Sequence, residues 1–416
     1  MSIYNMNGNI LSTAYDSTGN TVTKAYNADG GVVWADRTVS ATEILNWLEL
    51  ATDDTNDGKR VKERYRMDTN AWVTVYRPDC NIETAAALLS AYQKNGDSNY
   101  LSLARNIIQS ICLLQNNDGS FPFSHVRSTK YTNDNSEVII FLVRSAEIDT
   151  DNATTYISTA LSVADWLITT QNNDGSFPVS DENATKTALF TGHGVSALST
   201  VYQYGDATQK VNYQTAIEIG LSFIATQILT GGRIKCCYEV NSNTEFWRAP
   251  SSDQCVSIRA YALAEYYLPT NANVATWEAT RAQLVGYLDS LIADVGAVRN
   301  GLGTGINGAD IFYYTDHIYT TAFGIEAYYW SYMATGTESY FETANKIIDF
   351  CASNVYYSET QEEDGVIRGA YNLRDKNWDT HELTVDQNVQ VGANQIYSGW
   401  ANAPIACWLL LGGTLT

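Results

Sequence analysis

Hydrophobic positions recur along most of this chain at the three- and four-residue spacing of amphipathic helices. The first such segment opens with Ser40 and Glu43, which have the spacing of a capping box, and its apolar stripe is Ile44, Leu45 and Leu48. Further helices are predicted over residues 82–94, 98–115, 135–147, 153–171, 187–204, 208–229, 253–268, 274–294, 316–335, 338–355 and 392–410. The pattern indicates a main body of about twelve helices.

The connections between the predicted helices alternate in length. Those after even-numbered helices are short and polar, whereas those after odd-numbered helices run to about fifteen residues or more. Two of the long connections, at residues 115–122 and 171–178, begin with the same string, Gln-Asn-Asn-Asp-Gly-Ser-Phe-Pro. Asn-Asp-Gly can turn the chain at the end of a helix, and Pro prevents the helix from resuming. Similar pairs follow other odd-numbered helices at Asp57-Gly58, Gly231-Gly232 and Asp364-Gly365.

Repetition of a helix pair predicts stacked supersecondary units, and six pairs can close into a ring or remain an open solenoid. Gln-x-x-Asp-Gly-Ser-Phe resembles the repeat of the α/α-toroid superfold, which is seen in squalene and terpene cyclases, prenyltransferase β subunits and many (α/α)6 glycoside hydrolases and polysaccharide lyases. The resemblance spans roughly residues 39–416 and implies an all-α (α/α)6 toroid. It implies no single chemistry, because one fold hosts several reactions.

The first 36 residues follow a different pattern. Units that begin at Tyr4, Tyr15 and Tyr26 each carry a Gly-containing turn signal, and strand-like residues lie between them. We predict a small β-hairpin or meander module at residues 1–36, followed by the toroid domain at residues 37–416. The Tyr/Gly repeats resemble those that open many phage tail-associated and prophage-encoded proteins of gut Firmicutes. This resemblance implies docking to a larger particle through residues 1–36.

Charge and hydropathy narrow the classes of partner. The chain has 25 Lys plus Arg against 46 Asp plus Glu, a net charge of −21, which repels phosphate backbones and anionic lipid surfaces. We therefore expect no nucleic acid and no membrane as partners. No apolar run reaches the roughly 18 residues of a transmembrane helix, and the N-terminus has no signal-peptide pattern. The expected location is cytoplasmic or virion-associated.

Aromatic and cysteine residues suggest further chemistry. The 28 Tyr and 10 Trp residues suit stacking on sugar rings, although Tyr could simply replace Phe in a polar-surfaced helical protein. The seven Cys residues are irregularly spaced and often lie on apolar helix faces, which predicts buried free thiols. Cys236 and Cys237, with Glu239 and Cys255 nearby, resemble the zinc site of some (α/α)6 arabinofuranosidases. The remaining spacing differs, and we predict no metal and no cofactor.

In a ring of this kind the long loops lie at the N-terminal ends of the inner helices, so those ends should frame a cavity. Residues that suit sugar chemistry converge there from all six units: Arg77, Asp79, Glu83, Tyr131, Asp134, Glu137, His193, Trp247, Arg248, Asp253, Gln254, Tyr313, Tyr314, Asp316, His317, Gln395, Tyr397 and Trp400. The catalytic candidates are Asp316, Asp253, Asp79 and His193. The candidates for substrate binding are Trp247, Arg248, Tyr314, His317, Tyr397 and Trp400.

These residues also have structural explanations. Asp79, Asp134, Asp253 and Asp316 stand where helix N-caps are expected. His193, which lies between two glycines, could be a packed histidine where two helices touch. Asp316 is the strongest exception, because capping does not require the aromatic and titratable residues around it.

The leading hypothesis is a carbohydrate-active enzyme, and within that class a glycoside hydrolase. Two carboxylates about 5–10 Å apart must flank the glycosidic bond, one of them protonated as the acid. The expected pair is Asp316 with Asp253 or Asp79.

Three alternatives stay open. In a polysaccharide lyase, Tyr314 or Tyr319 with His193 or His317 would abstract the proton beside a uronate. Arg248 would then hold the uronate carboxylate. A non-catalytic glycan-binding phage tail or surface protein is the second alternative. A terpene cyclase-like enzyme is the third, although its Asp-x-Asp-Asp motif is incomplete here.

Overall fold

The structure, a computed structural model, describes residues 14–15, 21–22, 24–26, 32–235, 250–301, 313–317, 320–374, 376 and 395–411. The α-helices in these ranges are α1 (Arg37–Leu50), α2 (Pro78–Asn95), α3 (Ser98–Cys112), α4 (Thr132–Ile148), α5 (Ala153–Thr170), α6 (Ala188–Val201), α7 (Ala207–Thr226), α8 (Pro250–Tyr267), α9 (Val274–Asp289), α10 (Thr321–Thr335), α11 (Glu338–Ser353) and α12 (Ala403–Leu411).

The helices form two concentric layers. The even-numbered helices make the inner ring, in which each contacts the next and α12 returns to α2. The odd-numbered helices lie outside it, with α1 packed on α12 and each later odd-numbered helix packed on the inner helix before it. This arrangement confirms the predicted (α/α)6 toroid. The short connections follow the inner helices, so the long loops meet at the N-terminal end of the ring.

The burial pattern follows from these layers. In the inner helix α2, fourteen consecutive residues, 78–91, are buried, because neighbours surround it on every side. In the outer helix α3, only Ala104, Ile107, Ile108, Ser110 and Ile111 are buried, along one apolar face. An inner helix can therefore carry a polar side chain only where other polar groups meet it inside the ring.

The repeated Gly turns press each long loop against the next outer helix. Gly119 and Gly175 have φ values of +91° and +89°, a region that favours glycine. A Cβ atom would lie 2.3 Å from the Ser162 carbonyl oxygen at Gly119, and 2.2 Å from that of Ile219 at Gly175. Glycine is required at both turns, because no other residue combines this backbone with such close approach.

The last unit closes onto the first. Gly365, with a φ of +76°, approaches the carbonyl oxygen of Glu43 in α1, and a Cβ atom there would lie 3.2 Å from it. Strand β11 (Gln395–Tyr397) pairs antiparallel with β7 (Arg64–Arg66), which also pairs with β8 (Ala71–Val73). Both contacts join the end of the chain to its beginning, so the fold is a closed ring rather than an open solenoid.

The remaining strands are short. Strands β5 (Thr52–Thr55) and β6 (Gly58–Val61) form one antiparallel pair, and β9 (Tyr314–Asp316) and β10 (Ala370–Asn372) form another. In the N-terminal module, β1 (Ala14–Tyr15) pairs with β2 (Thr21–Val22), and β3 (Lys24–Tyr26) pairs with β4 (Val32–Ala35). Among the described residues, no helix combines the length and apolar character that crossing a membrane requires.

Several predicted helix starts were wrong. Helix α1 begins at Arg37 and is capped by Asp36, whose side chain accepts from the Thr38 and Val39 amides, whereas Ser40 lies inside the helix. The last inner helix begins at Ala403, after a π-helical turn over 398–402 and strand β11, rather than at residue 392. The apolar pattern did not separate the strand and turn from the helix that follows them.

The N-cap interpretation of the four aspartates was also wrong. Pro78 opens α2 after the N-cap Arg77, so Asp79 lies in the first helical turn. Asp134 and Asp253 likewise lie in the first turns of α4 and α8. Residue 316 ends β9, and α10 begins five residues later after the N-cap Thr320. The caps are therefore other residues, and capping does not explain these carboxylates.

Candidate active site

A buried arginine gathers three carboxylates at the N-terminal end of the ring. Arg77 donates from Nε to Asp79 Oδ1 at 3.1 Å, and from Nη2 to Asp79 Oδ2 at 2.5 Å. Nη2 also donates to Asp134 Oδ1 at 3.1 Å, and Nη1 donates to Glu63 Oε1 at 3.3 Å. The indole Nε1 of Trp400 donates to Asp79 Oδ2 at 2.7 Å. We call these five residues the Arg77 cluster.

Aromatic rings cover this arginine. The Arg77 guanidinium lies 3.8 Å from the centre of the Trp400 ring and 4.5 Å from that of Phe123, distances at which a cation–π attraction is strong. Trp400 is also stacked on Tyr397, with ring centres 5.5 Å apart. The guanidinium group of Arg64 lies over the Tyr397 ring, 5.4 Å from its centre. The predicted binding residues Tyr397 and Trp400 therefore join the predicted catalytic residue Asp79.

Asp134 holds a proton at neutral pH. Burial raises the pKa of its carboxyl group, and Asp79 and Glu63 raise it further against the opposing effect of Arg77, so that the pKa is about 8. Its Oδ1 accepts from Asn133 Nδ2 at 2.8 Å. Its Oδ2 is buried and bonds none of the described residues. This oxygen can carry a proton toward a bound ligand.

A second set of charged groups lies in the inner ring, and we call it the His193 network. Glu137 Oε1 lies 2.7 Å from His193 Nδ1 and accepts from Arg259 Nη2 at 2.6 Å. Arg259 Nη1 donates to Glu326 Oε2 at 2.5 Å. All four side chains are buried. Helices α4, α6, α8 and α10 each contribute one member, so tertiary structure alone brings the network together.

The charges in this network fix the state of the histidine. Burial alone would raise the pKa of Glu137, but Arg259 and His193 lower it to about 2. Burial and Arg259 lower the pKa of His193 in spite of Glu137, so the ring is neutral near pH 7. Two groups meet Nδ1 of His193: Glu137 Oε1, which can only accept when ionised, and Arg259 Nη2 at 3.1 Å, which can only donate. The shorter contact, to Glu137, favours the tautomer that carries its proton on Nδ1 and leaves the lone pair on Nε2. Nε2 is therefore a base.

Glu83 links the two sets. It lies one helical turn after Asp79 on α2 and is 2% exposed. Burial raises the pKa of Glu83 well above its usual range, and the negative charges of Asp79 and Glu137 raise it further. Its Oε2 is buried and has no hydrogen-bond partner in the described part of the chain. Burial and the neighbouring negative charges therefore favour the protonated form of Glu83.

Carboxylates outnumber guanidinium groups in this interior. The Arg77 cluster, Glu83 and the His193 network contain these acidic residues: Glu63, Asp79, Glu83, Asp134, Glu137 and Glu326. The guanidinium groups that bond these residues are those of Arg64, Arg77 and Arg259. Burial also raises the pKa of Glu326. Such a site disfavours an anionic ligand.

The other predicted site residues lie elsewhere. Asp253 is buried in the first turn of α8, and its Oδ2 lies 3.5 Å from the Ser252 hydroxyl. It is not among the carboxylates that Arg77 and Arg259 bond in the described structure. The expected pairing of Asp316 with Asp253 or Asp79 stays a prediction, because only the backbone of Asp316 is described. Asp79 itself shares the guanidinium group of Arg77 with Asp134.

Tyr314 and His317 face the outer layer. The Tyr314 hydroxyl accepts from Asn372 Nδ2 of β10 at 3.3 Å. The His317 ring is stacked on Phe350 of α11 at 5.7 Å, and burial lowers its pKa to about 3. Neither residue belongs to the Arg77 cluster or to the His193 network. Tyr319, the other tyrosine predicted for a lyase, lies outside the described residues.

Three predicted residues cannot be placed. Trp247 and Arg248 lie outside the described residues, and only the backbone of Asp316 is described. The proposed zinc ligands Cys236 and Cys237 also lie outside them. Among the described residues, no three His, Cys, Asp or Glu side chains form a group that could hold a metal ion.

Sequence reasoning missed Glu63, Arg259 and Glu326. Arg259 and Glu326 lie within the inner helices rather than at the loop-bearing ends that were searched. The signal was present: Arg259 is the only basic residue of α8, and Glu326 is the only charged residue of α10. A charge inside an apolar helix requires a partner. Glu63 lies on a loop, and no pattern marked it.

Comparison with known proteins supports the fold. No family model and no curated protein sequence matches the chain. Among solved structures, it is similar to cellobiose 2-epimerase from Bacillus thermoamylovorans, with 12% identity, coverage of 90% of this chain and 97% of that chain, and a TM-score of 0.64. An unsaturated glucuronyl hydrolase specific for heparin matches with 11% identity, coverage of 91% and 97%, and a TM-score of 0.65. An α-1,6-mannanase variant of Salegentibacter in complex with α-1,6-mannotriose matches with 10% identity, coverage of 92% and 100%, and a TM-score of 0.60. At these identities the likeness is one of fold, and the chain is an (α/α)6 toroid.

Proposed function

We propose that this chain is a carbohydrate-active enzyme and that it hydrolyses glycosidic bonds in a poly- or oligosaccharide. The observation that carries the proposal is Asp134, a buried acid with a pKa of about 8, which shares Arg77 with Asp79 and whose Oδ2 bonds none of the described residues. Glycosidases use such a pair of carboxyl groups. The three solved structures with this fold that are named above bear the names of sugar-processing enzymes, which supports the same class.

Each member of the pair has its own role. Asp134 gives its proton to the glycosidic oxygen while the bond to the anomeric carbon breaks. Asp79, whose two oxygens are held by Arg77 and Trp400, lies beside the positive charge that develops on the sugar ring. Water then adds to the anomeric carbon, and the proton it releases restores Asp134.

The experiment is a screen of the protein against a panel of polysaccharides, with Asp134→Asn beside the wild type. We expect release of reducing ends from at least one glycan, and a drop of about 10²–10⁴-fold in kcat/KM for Asp134→Asn. Wild-type activity should fall as pH rises through about 8, because Asp134 then loses its proton. Asp151→Asn is the control, since this side chain is 79% exposed. An Asp134→Asn enzyme with wild-type activity would contradict the role.

His193 supports a second candidate, proton transfer at a carbon of the sugar, as in epimerases or isomerases. A neutral imidazole whose Nδ1 is held by Glu137 offers Nε2 as a base. Exchange of substrate hydrogen with deuterated water separates the two reactions. Exchange that is lost in His193→Gln and kept in Asp134→Asn would favour this candidate. Absorbance from unsaturated uronates would indicate a lyase, and glycan binding without turnover would indicate a binding protein.

A further inference from the structure

A cluster of aromatic rings lies at the opposite end of the ring from Asp134. Helices α8, α10 and α12 contribute Tyr266, Tyr267, Tyr329, Trp330 and Trp408, which we call the rear aromatic cluster. Ring centres are 5.6 Å apart for Tyr266 and Trp330, 5.5 Å for Tyr329 and Trp330, and 4.8 Å for Tyr329 and Trp408. The rings therefore form one continuous group across three inner helices.

Helix α4 fixes the distance between the two ends. Asp134 lies in its first turn, and Glu147 lies in its last turn, about 20 Å away at the rise of an α-helix. Arg144, three residues before Glu147, lies over Trp408, 5.9 Å from the ring centre. The rear aromatic cluster is thus separate from the Arg77 cluster, and one residue of each sign borders it.

Part of this cluster is exposed to solvent. Tyr266 is 38% exposed, and the neighbouring Tyr204, which follows α6, is 37% exposed. Glu147 is exposed, yet the atoms around it raise the pKa of its carboxyl group. Glu147, Tyr204 and Tyr266 lie at or just after the C-terminal ends of the adjacent inner helices α4, α6 and α8. With Trp330 they form a surface that we call the rear patch.

A purely structural explanation accounts for only some of these rings. Tyr329 and Trp408 are buried and belong to the core. Tyr204, Tyr266 and Trp330 keep part of their rings in water, where exposed aromatic surface is unfavourable by about 25 cal/mol per Å². A contiguous exposed aromatic group of this kind is typical of a binding surface.

We propose that the rear patch is a second carbohydrate-binding site, which takes an uncharged sugar ring against Tyr266 and Trp330. Tyr and Trp offer flat apolar faces with polar edges, and Arg144 and Glu147 can hydrogen-bond sugar hydroxyls. The two charges balance each other locally in a chain of net charge −21, which suits a neutral ligand. The choice of ligand class rests on the proposed function. The site would hold a polysaccharide at the rear of the ring while the Arg77 cluster acts on the front.

The test is electrophoresis of the folded protein in native gels that contain one neutral polysaccharide each: mannan, xylan, mixed-linkage β-glucan or starch. We expect retardation of the wild type in at least one gel, and about five- to tenfold weaker binding for Tyr266→Ala and Tyr204→Ala. Both target exposed rings, so the core stays packed. Tyr357→Ala is the matched control, because Tyr357 is 42% exposed on another surface.

Asp134→Asn separates this proposal from the proposed function. Retardation should persist in this variant, whether or not the wild type hydrolyses any glycan. The proposal is overturned if no gel retards the wild type, or if Tyr266→Ala is retarded like the wild type. It is also overturned if the wild type is a dimer that Tyr266→Ala converts to a monomer, because the rear patch would then bind a second copy of the chain.

Discussion

At the scale of single residues, the interior of the ring is governed by charges that cannot be separated from their partners. Arg259 is 1% exposed and bonds Glu137 and Glu326 from two other helices. Removing one partner of such a group leaves buried charges without compensation, which costs far more than losing an ion pair at the surface. The same interior also contains acids whose protons stay bound at neutral pH.

Replacement of Arg259 tests whether the loss of a buried ion-pair partner destabilises the fold. Arg259→Met should lower the free energy of unfolding by about 3–5 kcal/mol, because Glu137 and Glu326 lose their cation. Arg37→Met is the control: Arg37 bonds Asp349, whose side chain is 57% exposed, and should cost only about 0–1 kcal/mol. Denaturant unfolding measures both. Equal losses in the two variants would show that the His193 network does not stabilise the fold.

Glu83→Gln tests whether the raised pKa of Glu83 makes the stability of the fold depend on pH. The pKa of Glu83 is raised in the folded state, so the unfolded chain loses this proton at lower pH than the folded chain does. Wild-type stability should therefore decline as pH rises above the ordinary glutamate pKa, and the decline should continue up to the folded pKa. A neutral glutamine cannot ionise, so Glu83→Gln should flatten this decline. The unfolding midpoint measured from pH 4 to pH 8 gives the comparison, with the exposed Glu359→Gln as control. An identical slope in all three proteins would mean that Glu83 is ionised.

At the scale of elements, the Gly turns align the repeats with one another. Each joins an outer helix to the next inner one and also touches the backbone of the following outer helix. The sequence reveals the turn, because Asp-Gly breaks a helix. The contact across to the next repeat depends on how the helices stack.

Two adjacent glycines separate these effects. Gly231 and Gly232 have φ values of +88° and +87°, but a Cβ atom at Gly231 meets nothing within 4 Å. At Gly232 it would lie 2.4 Å from the Gln283 carbonyl oxygen of α9. Gly231→Ala should cost about 1–2 kcal/mol of unfolding free energy for the backbone alone. Gly232→Ala should cost more, by about another 2 kcal/mol, because α9 must shift. Denaturant unfolding of both variants measures the difference, and equal losses would mean that the repeats do not rely on this contact.

At the scale of the whole molecule, the ring closes on itself without the N-terminal module. Helix α1 packs on α12, and β11 pairs with β7. The separate module at residues 1–36 stays a prediction, although Asp36 itself caps α1. Docking to a larger particle through this segment is a proposal that follows from the resemblance of its repeats.

Shortening the N-terminus tests whether the toroid is stable without the residues that precede Asp36. A chain that begins at Asp36 keeps the cap and the ring and loses the contact of β4 with α11, so it should unfold within about 3 °C of the wild-type temperature. A chain that begins at Thr38 loses the Asp36 cap and the Arg37 ion pair, and should be less stable by about 1–2 kcal/mol. Calorimetry of both chains gives the answer. A large loss in the first chain would mean that residues 1–35 belong to the toroid.

The amino-acid sequence by itself determined most of the helices and their alternating connections, and the resemblance of its repeat implied the closed ring. The helices and connections depend on local spacing: apolar residues every three or four positions, and Asp-Gly turns repeated along the chain. It also placed Asp79, Asp134, Glu137 and His193 at the end of the ring where the structure has them. These residues could be found because the long loops mark that end.

Tertiary structure alone decided which of these groups meet. Asp79 and Asp134 meet because one side chain, Arg77, bonds both. His193 bonds Glu137 across two helices, while His317 turns toward α11. Partners so distant along the chain leave no periodic trace, and the low-dielectric interior that shifts their pKa values exists only after folding. The sequence therefore specified the ring, and packing inside it specified the chemistry.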